Sequence, residues 1–103
     1  MGIVVFSLVA KEDLKNIFYY IKMDSLLYAR KEVNAIKLYT HKLKSIPYLE
    51  KKFEKYDNEL IRELVFKSYR IIYEILEDKI VILTIHHHAR SIHNNSALSS
   101  DNL

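Results

Sequence analysis

Apolar residues in the first half of the chain recur at the spacing of two amphipathic helices that follow a short strand. The segment IVVFSLVA, residues 3–10, is rich in β-branched residues and predicts the strand. The next segment, KEDL, brings acidic residues that indicate the start of a helix over about residues 11–23. The apolar side of this helix is formed by Leu14, Ile17, Phe18 and Ile21.

A second helix follows a break at MDS, where Asp24 or Ser25 can cap its first turn. Its apolar positions have a near-heptad spacing, and Pro47 ends it. These positions are Ala29, Val33, Ile36, Thr40 and Leu43. Neither helix can bury its apolar side alone, so both need a sheet to lie on.

The period of the hydrophobic pattern changes after the charged, aperiodic segment 48–59, which predicts a loop. LIRELVF, SYRIIYEIL and KIVILTIHH are rich in β-branched and aromatic residues, and short turns separate them, which predicts a three-stranded antiparallel meander. The whole order predicts an α+β fold: a small antiparallel sheet made of an N-terminal strand and the meander, with both helices on one face. Residues 1–92 form this single domain, and we expect the polar segment 93–103 to be a mobile tail.

Composition excludes several classes of protein. A chain of 103 residues has room for one core, and the lack of cysteine excludes disulfides and thiolate chemistry. The apolar N-terminal segment is too short to span a bilayer and lacks the basic region of a secretion signal, so we expect a cytoplasmic protein without membrane contact. The net charge of +3 resides in residues 42–55, where five lysines accompany two glutamates, and this patch favours nucleic acid or an acidic protein as partner.

Side-chain alternation along the strands assigns a row of nitrogen-bearing residues to one face of the sheet. In the middle strand Arg70 alternates with an apolar set and therefore lies on the face away from the helices. In the last strand the same counting places His86, His88 and Arg90 on that face, and His87 on the helix side. The apolar residues that it assigns to the helix side are Val81, Leu83 and Ile85.

Three interpretations of this row stay open. Two histidines at i and i+2 can ligate zinc, but no acidic residue lies nearby after Asp78, so the ligand set is incomplete and we predict no metal. The histidines can also be solvated side chains where a strand leaves the core. In the third interpretation they join Arg70 and Arg90 in an anion-binding surface that can transfer protons, since imidazole titrates near neutrality.

The strand segment resembles a known family of bacterial toxins. IRELVFKSYRIIYEILEDKIVILTIHHHAR is similar to the C-terminal half of the RelE/ParE superfamily, and AKEDLKNIFYYI followed by YARKEVNAIKLYTHKLKSIP is similar to its two-helix hairpin. The resemblance covers about residues 3–92. It implies the toxin of a type II toxin–antitoxin system, of the kind also called plasmid stabilisation proteins, with no cofactor. It also implies a cognate antitoxin that neutralises the toxin, in a heterotetramer or larger complex.

Two activities occur in this superfamily. RelE-like members cut messenger RNA on the ribosome, whereas ParE-like members are not known as nucleases and poison DNA gyrase. Arg70 and Arg90 match positions where the nuclease branch places phosphate-binding arginines, and the resemblance leaves His86, His88 or His93 as its general acid or base. In a ParE-like protein the same residues would bind the target without catalysis.

The end of the chain favours the ParE-like branch. No aromatic residue follows Tyr73, and Ser96 stands where one type of nuclease has a tyrosine. Arg62 is a further candidate for a basic position of the family, but the length of the turn after it leaves its alignment with that position open. We therefore predict a ParE-like growth inhibitor that acts on DNA gyrase, with a ribosome-dependent mRNA endoribonuclease as the alternative.

Overall fold

A computed structural model describes residues 2–47, 51–52 and 58–87. For residues 51–52 it describes the backbone alone. The helices form a hairpin, and the strands on both sides of it in sequence form one sheet. The elements are β1 (Ile3–Phe6), α1 (Leu8–Lys22), α2 (Leu26–His41), a single 3-10 turn (Lys42–Lys44), β2 (Lys51–Lys52), β3 (Ile61–Phe66), β4 (Tyr69–Ile75) and β5 (Lys79–His87).

A serine side chain caps the first turn of each helix. The Ser25 hydroxyl accepts a hydrogen bond from the Tyr28 amide at 3.1 Å, which selects Ser25 over Asp24 as the cap of α2. The Ser7 hydroxyl accepts from the Ala10 amide at 3.0 Å and donates to the Leu83 carbonyl at 2.8 Å. Because Ser7 caps α1 at the end of β1, the helix begins three residues earlier than predicted, and Leu8–Ala10 are helical rather than extended.

The sheet has the order β1-β5-β4-β3-β2 and is mixed. The strands β2 to β5 pair antiparallel, and for β3, β4 and β5 this confirms the predicted meander. In contrast, β1 pairs parallel with β5 from Ile3↔Lys79 to Phe6↔Ile82. The α+β class and the order of elements are confirmed. The expectation of a wholly antiparallel sheet is corrected by β1, and the segment predicted as a loop contains β2.

The core lies between the helix hairpin and one face of the sheet. It joins residues of both helices, such as Leu14, Ile17 and Ile36, to the strand residues Ile71 and Tyr73, each at most 6% exposed. This arrangement confirms that both helices cover the same face. Within the part of the chain that the structure describes, no helix combines the length and the apolar character needed to cross a membrane.

A β-bulge in β5 changes which of its residues face the helices. Ile72 pairs with Thr84 but Tyr73 pairs with Ile82, so Leu83 has no residue opposite it. The extra residue reverses the alternation, and Ile80 and Ile82 join the core at 0% exposure. The assignment of Val81 and Leu83 to the helix side was therefore wrong, whereas that of Ile85, which is 3% exposed, is confirmed.

Candidate target-binding face

Arg70 and His86 lie side by side on the face of the sheet away from the helices, here called the Arg70 face. They are directly paired residues of β4 and β5, and such residues project from the same side of a sheet. The Arg70 side chain is 46% exposed, and His86 is exposed. The structure therefore brings together two of the four residues that the sequence selected.

A buried carboxylate holds Arg70. Glu63 of β3 is 4% exposed, and its Oε2 lies 2.6 Å from Arg70 Nε. The Nε–H bond is not aimed at this oxygen, so the contact is an ion pair without a hydrogen bond, and Oε2 has no other partner among the described atoms. A buried carboxylate needs a compensating charge. Arg70 therefore has a structural role, in addition to being accessible at the surface.

The centre of the Arg70 face is less exposed than its rim. Ile72 lies between Glu63 and Thr84 in the strand pairing, and it is only 4% exposed. Val65, which pairs with Arg70, is 58% exposed. The face therefore combines a buried acidic and apolar centre with an exposed edge that carries Arg70 and His86, rather than the row of basic side chains that the sequence predicted.

His87 and Arg62 lie away from the Arg70 face. His87 lies two residues after Ile85 and therefore on the same side of the sheet, which faces the helices. Its ring contacts the Tyr69 ring edge-to-face with centroids 5.0 Å apart. Arg62 pairs with the core residue Tyr73, and its Nε donates to the Glu59 carbonyl at 3.0 Å. The prediction that His87 points to the helix side is confirmed, and Arg62 does not add a cation to the Arg70 face.

Asp13 of α1 fixes the end of β5 that carries the histidines. Beyond Ile82, β5 has lost β1 as a neighbour, and the Asp13 Oδ2 accepts hydrogen bonds from the Ile85 amide at 2.9 Å and the Thr84 hydroxyl at 2.7 Å. Thr84 Oγ1 is also 3.5 Å from His86 Nε2. The Asp13 carboxylate thus accepts a backbone hydrogen bond of β5 at the edge where no described strand is paired with it. The roles of Asp13 and Glu63 were not predicted from the sequence. Asp13 contacts residues that are 71 and 72 positions away, and Glu63 contacts a residue on the neighbouring strand.

The comparison with known proteins decides the family. The family described as "ParE toxin of type II toxin-antitoxin system, parDE" matches residues 4–92. This chain belongs to the ParE toxin family. A search of curated proteins found no match. A solved structure described as "Chromosomal ParDE TA system from P. aeruginosa" aligns with a TM-score of 0.69 over 84% of this chain and 95% of that chain, at 19% identity, which shows a shared fold.

Part of the predicted site of this ParE family member lies outside the described residues. His88, Arg90 and His93, and the predicted tail 93–103, belong to that part, so their placement on the Arg70 face stays a prediction. Across residues 2–47, 51–52 and 58–87, no group of three histidine, aspartate or glutamate side chains is arranged to hold a metal ion.

On its helix side the ParE domain has an apolar groove with a basic rim, here called the lysine-rimmed groove. It encloses about 490 Å³ between β1, α1 and α2. Phe6, Leu14 and Phe18 form part of its wall. Its rim carries three cations, Lys11, Lys15 and Lys37. None of them forms an ion pair with another described residue. Such a groove suits a ligand that is both apolar and acidic.

Proposed function

We propose that this ParE family protein is the toxin of a type II toxin–antitoxin pair, and that it arrests growth in the bacterial cytoplasm by binding DNA gyrase through the Arg70 face. Its family membership supports the toxin assignment. The observation that carries the mode of action is the ion pair between Arg70 and the buried Glu63. This pair supports a rigid binding surface rather than a site for phosphate chemistry.

The nuclease alternative requires Arg70 to hold a phosphate. A phosphate bound there would lie beside the Glu63 carboxylate, and the two negative groups would repel each other in a poorly hydrated setting. Glu63 is also 4% exposed, so it does not present its oxygens to a ribose hydroxyl in solvent. Both features favour binding over strand cleavage.

The purified chain is therefore expected to inhibit ATP-dependent DNA supercoiling by gyrase, and transcripts should stay intact when the toxin is induced in cells that lack its antitoxin. His86→Ala should reduce inhibition only partly, as the loss of one contact in an interface does, because no proton transfer depends on His86. The measurements are a supercoiling assay and mapping of transcript 5′ ends in the same induced cells.

Two outcomes would contradict this proposal. New 5′ ends phased to codons, together with unaffected supercoiling, would identify a RelE-like nuclease. Abolition of all toxicity by His86→Ala in a folded protein would assign a chemical role to the imidazole. Glu77→Gln, on the exposed turn between β4 and β5, is the control for effects of expression, since Glu77 makes no contact on the Arg70 face.

The lysine-rimmed groove is the proposed seat of the antitoxin, through a segment that combines apolar and acidic side chains. Lys11→Glu with Lys15→Glu should weaken antitoxin binding at least tenfold and leave toxicity unchanged, because the Arg70 face lies on the other side of the sheet. Arg30→Glu with Lys31→Glu is the matched control, since it makes the same charge change at two exposed positions of α2 outside the groove.

Isothermal titration of the toxin variants with the cognate antitoxin measures this effect, and light scattering gives the stoichiometry, which we expect to be a heterotetramer or larger. Equal losses of affinity in the Arg30→Glu, Lys31→Glu control and in the groove variant would show that net charge, and not the groove, governs the interaction.

A further inference from the structure

A second cavity, of about 180 Å³, lies at the end of the helix hairpin, on the opposite side of the sheet from the Arg70 face. Its walls come from the end of α1, the first turns of α2, the start of β4 and the end of β5. Drug-sized ligands occupy pockets of about 300–1,000 Å³, so this cavity is suited to a single ring or head group. Neither the proposed gyrase contact nor the lysine-rimmed groove uses it.

One wall of the cavity carries a hydrogen-bond acceptor without a partner. The Glu32 side chain is 8% exposed, and its Oε1 accepts a hydrogen bond from Lys67 Nζ at 3.0 Å. Its other oxygen has no partner among the described residues. A ligand in the cavity that brings a hydrogen-bond donor can pair with this oxygen.

The charges at the cavity select a neutral ligand. Lys67 balances Glu32, and its own side chain is 51% exposed at the outer edge. An anionic group would meet the carboxylate, and a cationic group would compete with the Lys67 ammonium. Lys67 lies in the turn between β3 and β4, where its backbone has a left-handed φ of 55°.

The aromatic and polar side chains of the walls favour a planar ring as ligand. Tyr20 and Tyr28, which are 56% and 52% exposed, line the cavity from the two helices. Ser68 and His87 add a hydroxyl and an imidazole to the same lining. Nucleobases stack on such aromatic side chains, and their edges carry the donors and acceptors that these polar groups complement.

We propose that this cavity binds a nucleobase that carries an exocyclic amino group, with that amino group donating a hydrogen bond to Glu32. Adenine, cytosine and guanine have this group, whereas uracil presents a carbonyl oxygen instead. A carboxylate facing a carbonyl places two acceptors against each other, so the site discriminates between cytosine and uracil although the two rings have the same size.

The test is a titration of the full ¹⁵N-labelled chain with cytidine and with uridine, followed by two-dimensional NMR. Cytidine is expected to shift the amides of Tyr28, Glu32, Ser68 and His87 saturably. It should bind roughly tenfold more tightly than uridine, because cytosine has an amino donor at the ring position where uracil has a carbonyl acceptor. Equal affinity for the two nucleosides, or shifts confined to other parts of the molecule, would overturn the proposal.

Three variants separate recognition from folding. Glu32→Gln should bring the ratio of the two affinities close to one, since the carboxamide can face either base, whereas Glu77→Gln, the same change on an exposed turn, should leave it unchanged. Tyr28→Leu should weaken binding of both nucleosides with an unchanged ratio. It touches no ion pair, so it keeps the test valid if Glu32→Gln unfolds. Persistence of the cytidine preference in a folded Glu32→Gln protein would contradict the assignment of Glu32.

A third titration, with single-stranded oligocytidylate, identifies the source of the base. Binding tighter than that of cytidine and weakened by salt would identify the base as part of a nucleic acid strand. Binding equal to that of cytidine would identify it as a free nucleoside or nucleotide. Failure of cytidine to bind leaves the proposed action on gyrase untouched, because the cavity and the Arg70 face are separate.

Discussion

Arg70→Ala is expected to destabilise the fold by about 2–3 kcal/mol, which is much more than truncation of an exposed strand residue normally does. The reason is Glu63, whose carboxylate is 4% exposed and depends on Arg70 for charge compensation. Removal of one partner from a fully buried pair costs about 3–5 kcal/mol, and the 46% exposure of Arg70 places this pair below that range. Urea unfolding followed by circular dichroism measures the change.

The double variant Arg70→Ala with Glu63→Gln is the matched control. A neutral amide loses less free energy on burial than a carboxylate, so the second substitution should recover more than half of the lost stability. Wild-type stability of Arg70→Ala alone would show that the ion pair does not stabilise the protein. The double variant also gives the clean functional test, because a loss of toxicity in Arg70→Ala alone would combine a lost contact with partial unfolding.

Ile82→Ala is expected to destabilise the protein by about 2–5 kcal/mol, whereas Leu83→Ala should cost about 1 kcal/mol or less. Ile82 is 0% exposed and belongs to the core, whereas Leu83 is partly exposed and has no residue opposite it in β4. The two side chains are isomers, so the difference between the variants reports their positions and not their size. Thermal unfolding monitored by circular dichroism measures both.

This pair of substitutions tests the bulge directly. Simple alternation from Ile85 would bury Leu83 and expose Ile82, which is the opposite of what the structure has. A larger loss in Leu83→Ala than in Ile82→Ala would show that β5 runs in regular register, which would place His86 on the same face as Ile80.

Local patterns were sufficient to predict both helices and four of the five strands, with β2 as the exception. The helix residues Leu14 and Ile17 recur at the helical period, and both are buried as expected. The alternation in β4 likewise assigned Arg70 to one side and Tyr73 to the other correctly. These patterns can be read from the sequence because the period of an element and its buried face both depend on neighbours within a few positions.

The candidate site was predicted less completely. Counting along β5 from its C-terminal end placed His86 with Arg70 and His87 with the helices, because the bulge lies before both histidines. The same counting failed for Ile80 and Ile82, on the other side of the bulge. Glu63 looked like an ordinary polar strand residue, since only the pairing of β3 with β4 shows that it lies beside Arg70.

By itself, the sequence determined the α+β class, the hairpin of helices, the meander and the membership of a toxin family, because these depend on local periodicity and on residue identity along the chain. Only the tertiary structure decided that β1 pairs parallel with β5, that Asp13 replaces a strand beside Thr84, and that a buried carboxylate holds Arg70. These features depend on contacts between residues on different elements, most of them distant in sequence. Such contacts form through packing and charge compensation, which leave no period in the sequence.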